Sequence, residues 1–107
     1  MGKYLISASY TVEGMKGLIK GGGGTARKQA IEALLKSVGG SLESIYYAFG
    51  QEDVYLIASV PDHVSAAAIA LTVNASGAAS VKTTILMTPE EVDQAAKKTV
   101  SYRAPGH

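Results

Sequence analysis

The sequence predicts an α+β fold: four strands and two main helices in the order strand, helix, strand, strand, helix, strand, with a further helix at the end. Three observations carry this. Leu42–Val60 reads as a hairpin, two arms of aromatic and β-branched residues broken by Gly50-Gln51-Glu52-Asp53. Two stretches with helical spacing flank it, each closed by Gly. Thr88-Pro89-Glu90-Glu91 then opens a third helix with a threonine cap, a proline in the first turn and a glutamate placed for a capping box.

The elements follow in order. Lys3–Val12 alternates and is rich in Tyr, Ile, Thr and Val, a first strand with neither side charged. Glu13–Lys20 places Met15, Leu18 and Ile19 on one face, one or two helical turns weakened by Gly14 and Gly17 at about 1 kcal/mol each relative to Ala. Gly21–Gly24 stop it, because successive glycines lose too much backbone freedom to stay helical. Thr25 is the expected N-cap of the next helix, in which Ile31, Leu34, Leu35 and Val38 share a face and Gly39-Gly40 end the run. After the hairpin, Asp62 caps an alanine-rich helix, His63–Ala75, closed by Gly77. Ser80–Met87 is the fourth strand. The last helix runs to about Lys98, and Thr99–His107 is an extended tail.

This order is that of the ferredoxin-like split βαβ arrangement, a four-stranded antiparallel sheet with two helices on one face. The expectation is a single domain over residues 1–107. Its other face must meet water or a partner, yet no strand has a plainly solvated side. The expected open face carries Ser7, Ser9, Ile45, Tyr47, Phe49, Tyr55, Ile57, Ser59, Lys82 and Thr84, with the more aliphatic Ile6, Ala8, Leu56, Ala58, Thr83 and Ile85 toward the helices. A one-residue slip in any strand would exchange the two sets.

Bulk composition narrows the function classes. Of 107 residues, 47% are apolar and only 18% charged, which favours association over a solitary monomer. The net charge of +1 offers no basic footprint for nucleic acid or anionic membrane. With no Cys, there is neither a disulfide framework nor a thiolate nucleophile or metal ligand. Two isolated His give no metal pattern, and nothing in the sequence calls for a cofactor. The first residues lack the apolar run of a signal peptide, no run approaches a membrane span, and the expected location is cytoplasmic.

Candidate sites are few. Ser7, Ser9, Tyr47, Tyr55 and Lys82 are the expected lining of a ligand pocket on the open face, although tyrosines at such spacing commonly serve packing. A lysine in mid-strand lines a polar pocket, forms an ion pair across an interface or meets solvent; if desolvated, its pKa falls, a route to catalysis. Gly50 and Asp53 are read as holding the hairpin turn, with Asp53 capping it and Glu52 beside it solvated. Gly23, Gly24, Thr25 and Arg27 form a candidate anion site at a helix N-terminus, against the simpler reading of a flexible break. No phosphate-loop pattern supports the former.

The chain resembles the GYD family of small bacterial and archaeal proteins of undetermined function. The resemblance rests on KYLISASYT at Lys3–Thr11, GGSLESIYYAFG at Gly39–Gly50, DVY at Asp53–Tyr55, VKTT at Val81–Thr84, LMTPEE at Leu86–Glu91 and YRAPG at Tyr102–Gly106. Glu52 stands where that family usually places Tyr. By order of elements the family is similar to the dimeric α+β barrel proteins, among them small-molecule monooxygenases, isomerases and stress-response proteins. The low charge and the uncovered sheet face favour a homo-oligomer, a dimer or a multiple, and with the resemblance they imply a small-molecule-binding protein or cofactor-free enzyme with a pocket at the sheet face. Two alternatives stand beside it: a self-assembly module without ligand, and a nucleotide-responsive regulator similar to the PII proteins, which share the fold. Fold alone does not decide among them.

Overall fold

A computed structural model describes residues 2–107 of the chain. Eight elements follow one another: β1 (Gly2–Tyr10), α1 (Val12–Lys20), α2 (Gly24–Lys36), β2 (Ser41–Tyr47), β3 (Val54–Val60), α3 (His63–Ala75), β4 (Ala79–Leu86) and α4 (Pro89–Lys97). The sheet order is β2-β3-β1-β4, with every neighbouring pair antiparallel. This is the ferredoxin-like arrangement with a helix added at the C-terminus.

Alternation builds the core. Tyr4, Ile6 and Ala8 of β1 and Val54, Leu56, Ala58 and Val60 of β3 are buried, while the residues between them face the other way. Ile31 and Leu35 of α2 and Ala66 and Ile69 of α3 complete the main cluster. The small Ala58 and Ala66 let a helix lie close to the strand beneath it. Tyr4 reaches the edge of this core, where its hydroxyl and His63 Nδ1 lie 2.7 Å apart at the start of α3.

The helix ends refine the sequence reading. Thr11, read as strand, is the N-cap of α1: its hydroxyl accepts from Gly14 N–H and donates to the Gly77 carbonyl. Gly23, not Thr25, precedes α2, and no side chain caps that end. Gly22 and Gly23 have φ of 101° and 85°, so the glycine run supplies left-handed backbone that other residues rarely adopt. The capping box at Thr88 forms as the spacing predicts.

β2 departs from simple alternation. Its pairing with β3 shifts between Leu42 and Ser44, a bulge that leaves Glu43 as the extra residue. Leu42 and Ile45 therefore pair opposite the core residues Ala58 and Leu56 although they are three positions apart. Ser44 and Tyr46 fall on the open face. The expected assignment of Ile45 and Tyr47 to that face is reversed, because one inserted residue inverts every later side chain. Phe49 lies beyond the strand and is fully exposed.

The C-terminal arm stands apart. α4 has no buried residue, and Val92, Val100 and Tyr102 are exposed.

Candidate functional site

The face of the sheet opposite α2 and α3 carries the polar cluster of interest. Register places Ser7 of β1 between Tyr55 of β3 and Lys82 of β4, and Ser9 opposite Ser80. Four of the five residues expected in a pocket, Ser7, Ser9, Tyr55 and Lys82, thus share this face. Leu5 and Ile57, partly buried, pair beside them and give the centre of the face an apolar floor.

Tyr47 does not join them. It pairs with buried Val54 and projects to the helix side, where its hydroxyl donates to the Gly24 carbonyl at 2.9 Å. Burial raises its pKa above the ordinary phenol value, and neighbouring Tyr10 adds to this while Arg27 opposes it. Tyr47 thereby anchors the start of α2 instead of lining the open face.

Glu52 is the residue that sequence reasoning missed. Read there as a solvated turn residue, it is 7% exposed. Its two carboxylate oxygens are both engaged: Lys82 Nζ donates to one at 2.7 Å and Ser9 Oγ to the other at 2.7 Å. The hydrogen bond from Lys82, then that from Ser9, lower the Glu52 pKa. The same pairing raises that of Lys82, which is the reverse of the shift expected of a catalytic amine. Neither group changes protonation near neutral pH. At neutral pH the pair is thus a carboxylate and an ammonium held together, with Lys82 as a donor. Lys82 spends one of its three N–H bonds on Glu52, and with its side chain 67% exposed the others face outward.

Asp53 explains how the turn reaches this position. Its backbone N–H donates to the Ala8 carbonyl, extending the β1–β3 pairing into the turn, and its carboxylate accepts from Tyr10 N–H at 2.8 Å. The residue ties the turn to β1, where the sequence suggested a cap within the turn itself. Gly50 does not take a left-handed conformation, and a side chain there would meet open space. A mid-strand lysine with no acid on the adjoining strand is the one sequence signal that could have led to Glu52.

On the helix side, a cleft of about 310 Å³ lies between α1, the glycine run and α2, lined by Tyr10, Gly14, Gly17, Gly21, Gly23 and Arg27 among others. Gly23 and Arg27 of the expected anion site reach it. Gly24 packs against the Tyr47 ring, and Thr25 is exposed. Arg27 Nε is buried without a hydrogen-bond partner. Among the described residues, no three His, Cys, Asp or Glu side chains gather as a metal site, and no helix is long and apolar enough to cross a membrane.

The fold and this open polar face define a small ferredoxin-like α+β protein whose sheet is covered on one side only. The GYD domain model matches residues 4–96, and the chain belongs to that family. No curated protein and no solved structure matches it.

Proposed function

We propose that this protein is a homo-oligomeric small-molecule-binding protein, two copies meeting across their open sheet faces and enclosing the Glu52–Lys82 cluster. The observation that carries this reading is Glu52 itself, a buried carboxylate on the face that the chain's own helices leave uncovered. Its pairing holds Lys82 cationic with N–H groups to spare beside an apolar floor of Leu5 and Ile57. A ligand with a carboxylate or carbonyl oxygen and an apolar body matches that combination. Ser7, Ser9 and Tyr55 surround the oxygen site. The shifted pKa values favour binding over acid–base catalysis.

Sedimentation and NMR test the two halves separately. The wild-type chain should sediment as a dimer or a multiple at micromolar concentration, and Ile57→Lys should dissociate it. Benzoate and hexanoate, as probes, should shift resonances of Ser7, Tyr55 and Lys82, and Lys82→Met should abolish those shifts while leaving the oligomer intact. A monomeric wild type, or shifts unchanged in Lys82→Met, defeats the reading. The unpartnered Arg27 Nε beside the glycine-lined cleft favours a second reading, anion binding at the start of α2. Titration with inorganic phosphate and with ATP should then perturb Gly23 and Arg27; spectra unchanged there reject it.

A further inference from the structure

We infer that the free edge of β4 is a self-association surface, which pairs antiparallel with β4 of a second copy about a two-fold axis at Thr84. The first observation is the direction of the backbone groups. β4 ends the sheet order β2-β3-β1-β4, so β1 is the one strand alongside it. Thr11 N–H donates to the Ala78 carbonyl in the same register that pairs Ser7 with Lys82, so the even-numbered residues of β4 bond to β1. The odd-numbered residues point away from it, and Val81 N–H accordingly goes to Asn74 Oδ1 at 2.8 Å. Asn74 thereby closes the edge at Val81. Thr83 and Ile85 are left with N–H and C=O groups directed outward and no strand to receive them.

The second observation is that nothing guards this run. An exposed edge is commonly blunted by a bulge, a proline or a charge. β2, at the opposite side of the sheet, has its bulge at Glu43. β4 has neither bulge nor proline, and its one charged residue, Lys82, is held on the open face by Glu52. Thr83 and Ile85 are also exposed as side chains on the helix side, Ile85 by 58%.

The third observation identifies the occupant. Outward N–H and C=O groups on alternate residues are matched by another strand, and this run matches itself. An axis at Thr84, the middle of the free run, sets Thr83 against Ile85 of the second copy and Ile85 against its Thr83. Both pairs are of the hydrogen-bonded kind, so each exchanges two N–H···O=C bonds and the reciprocal pair forms at the same time. On the helix side each exposed Ile85 gains a β-branched neighbour across the junction. On the open face Lys82 falls opposite Leu86 of the second copy, and the two lysines stay about 13 Å apart along the strands, which avoids like charges in contact.

This contact is argued from the edge alone and is independent of the sheet-face contact proposed above. Its test is made on the full chain in the Ile57→Lys background, so that cross-linking through the sheet face does not contribute. The chain has no Cys, so a single introduced thiol reports its own position. Thr84→Cys stands at a non-bonded pair on the axis, where the two Cα atoms are about 4.5 Å apart and within disulfide reach. Ser80→Cys, exposed on the same strand and the same face, is about 26 Å from its mate along the strands. Under mild oxidation Thr84→Cys should form disulfide-linked dimers roughly tenfold faster than Ser80→Cys. Adding Thr83→Pro removes an outward N–H without touching the bonds to β1. It should slow Thr84→Cys to the rate of Ser80→Cys with the far-UV circular dichroism unchanged. Equal rates for Thr84→Cys and Ser80→Cys overturn the inference, as does a fast Thr84→Cys reaction that a folded Thr83→Pro variant leaves intact.

Discussion

Gly14 and Gly17 sit one turn apart in α1 and look equivalent in the sequence, yet substituting alanine should move stability in opposite directions. A Cβ at Gly14 would lie 1.9 Å from the Ala78 carbonyl oxygen, a backbone atom, whereas a Cβ at Gly17 would meet nothing within 4 Å. At Gly17 only helix propensity changes, a gain of up to about 1 kcal/mol. At Gly14 the same gain is opposed by overpacking, about 1–3 kcal/mol. To relieve the clash α1 must move off Ala78, and the hydrogen bonds that seat it go with it. These are Thr11 N–H to the Ala78 carbonyl at 3.0 Å and the Thr11 hydroxyl to the Gly77 carbonyl at 2.7 Å. Each contributes about 1 kcal/mol. The net loss for Gly14→Ala is about 2–4 kcal/mol, which at roughly 4–8 °C per kcal/mol lowers Tm by about 10–30 °C. Gly17→Ala should raise it by a few degrees. Thermal denaturation followed by far-UV circular dichroism, on both variants and wild type, reads the difference directly. Variants melting within about 2 °C of each other would refute the close seating of α1 on Ala78, and with it the shape of the cleft that Gly14 lines.

Two further outcomes follow from the ionisable groups. Glu52 and Asp62 have lowered pKa values, Glu52 through Lys82 and Ser9, Asp62 through the Ser65 backbone N–H that it caps. Their contributions are present at neutral pH and are lost as pH falls through the folded-state values. Lys82 has a raised pKa through Glu52, so its contribution is present at neutral pH and is lost as pH rises through its folded-state value. Tm should therefore show a plateau around neutrality; Glu52→Gln should lower it and flatten both limbs, leaving the Asp62 share of the acid limb. Profiles of wild type and Glu52→Gln that run parallel would contradict the pairing. Tyr47→Phe removes the bond to the Gly24 carbonyl and should cost about 1 kcal/mol in urea denaturation. Difference phenolate absorbance between wild type and Tyr47→Phe should show Tyr47 titrating above an ordinary tyrosine; a normal titration means that its ring is not buried against α2.

Local pattern carried most of the fold. Alternation in β1 and β3 assigned Ile6, Ala8, Leu56 and Ala58 to the helix side, and Thr88 with Glu91 marked α4 through contacts three residues apart. What failed was non-local or a matter of parity. The bulge at Glu43 depends on how β2 meets β3, so nothing in Leu42–Tyr47 alone announces that Leu42 and Ile45 share a side. Glu52 looks like any acidic turn residue, because its burial depends on Lys82, 30 positions later, and Ser9, 43 positions earlier. Thr11 reads as strand by propensity, and its role as a cap rests on Gly77 and Ala78 across the fold. The candidate site was legible on β1, β3 and β4 and illegible at its centre.

Asp53 has a consequence for how the two sides of the sheet communicate. Its neighbour in sequence, Glu52, belongs to the open face, while the residue its carboxylate holds, Tyr10, lines the cleft beside Arg27. One residue thus serves as a common mount for surfaces on opposite sides of the sheet. If a ligand at the site proposed at Lys82 moves the hairpin turn, Asp53 and Tyr10 are the route by which the cleft would feel it, and any such coupling is reciprocal. The turn is in this respect a shared mount, and Asp53→Ala, which removes the acceptor of the Tyr10 N–H, takes away one of the two bonds that Asp53 makes to β1.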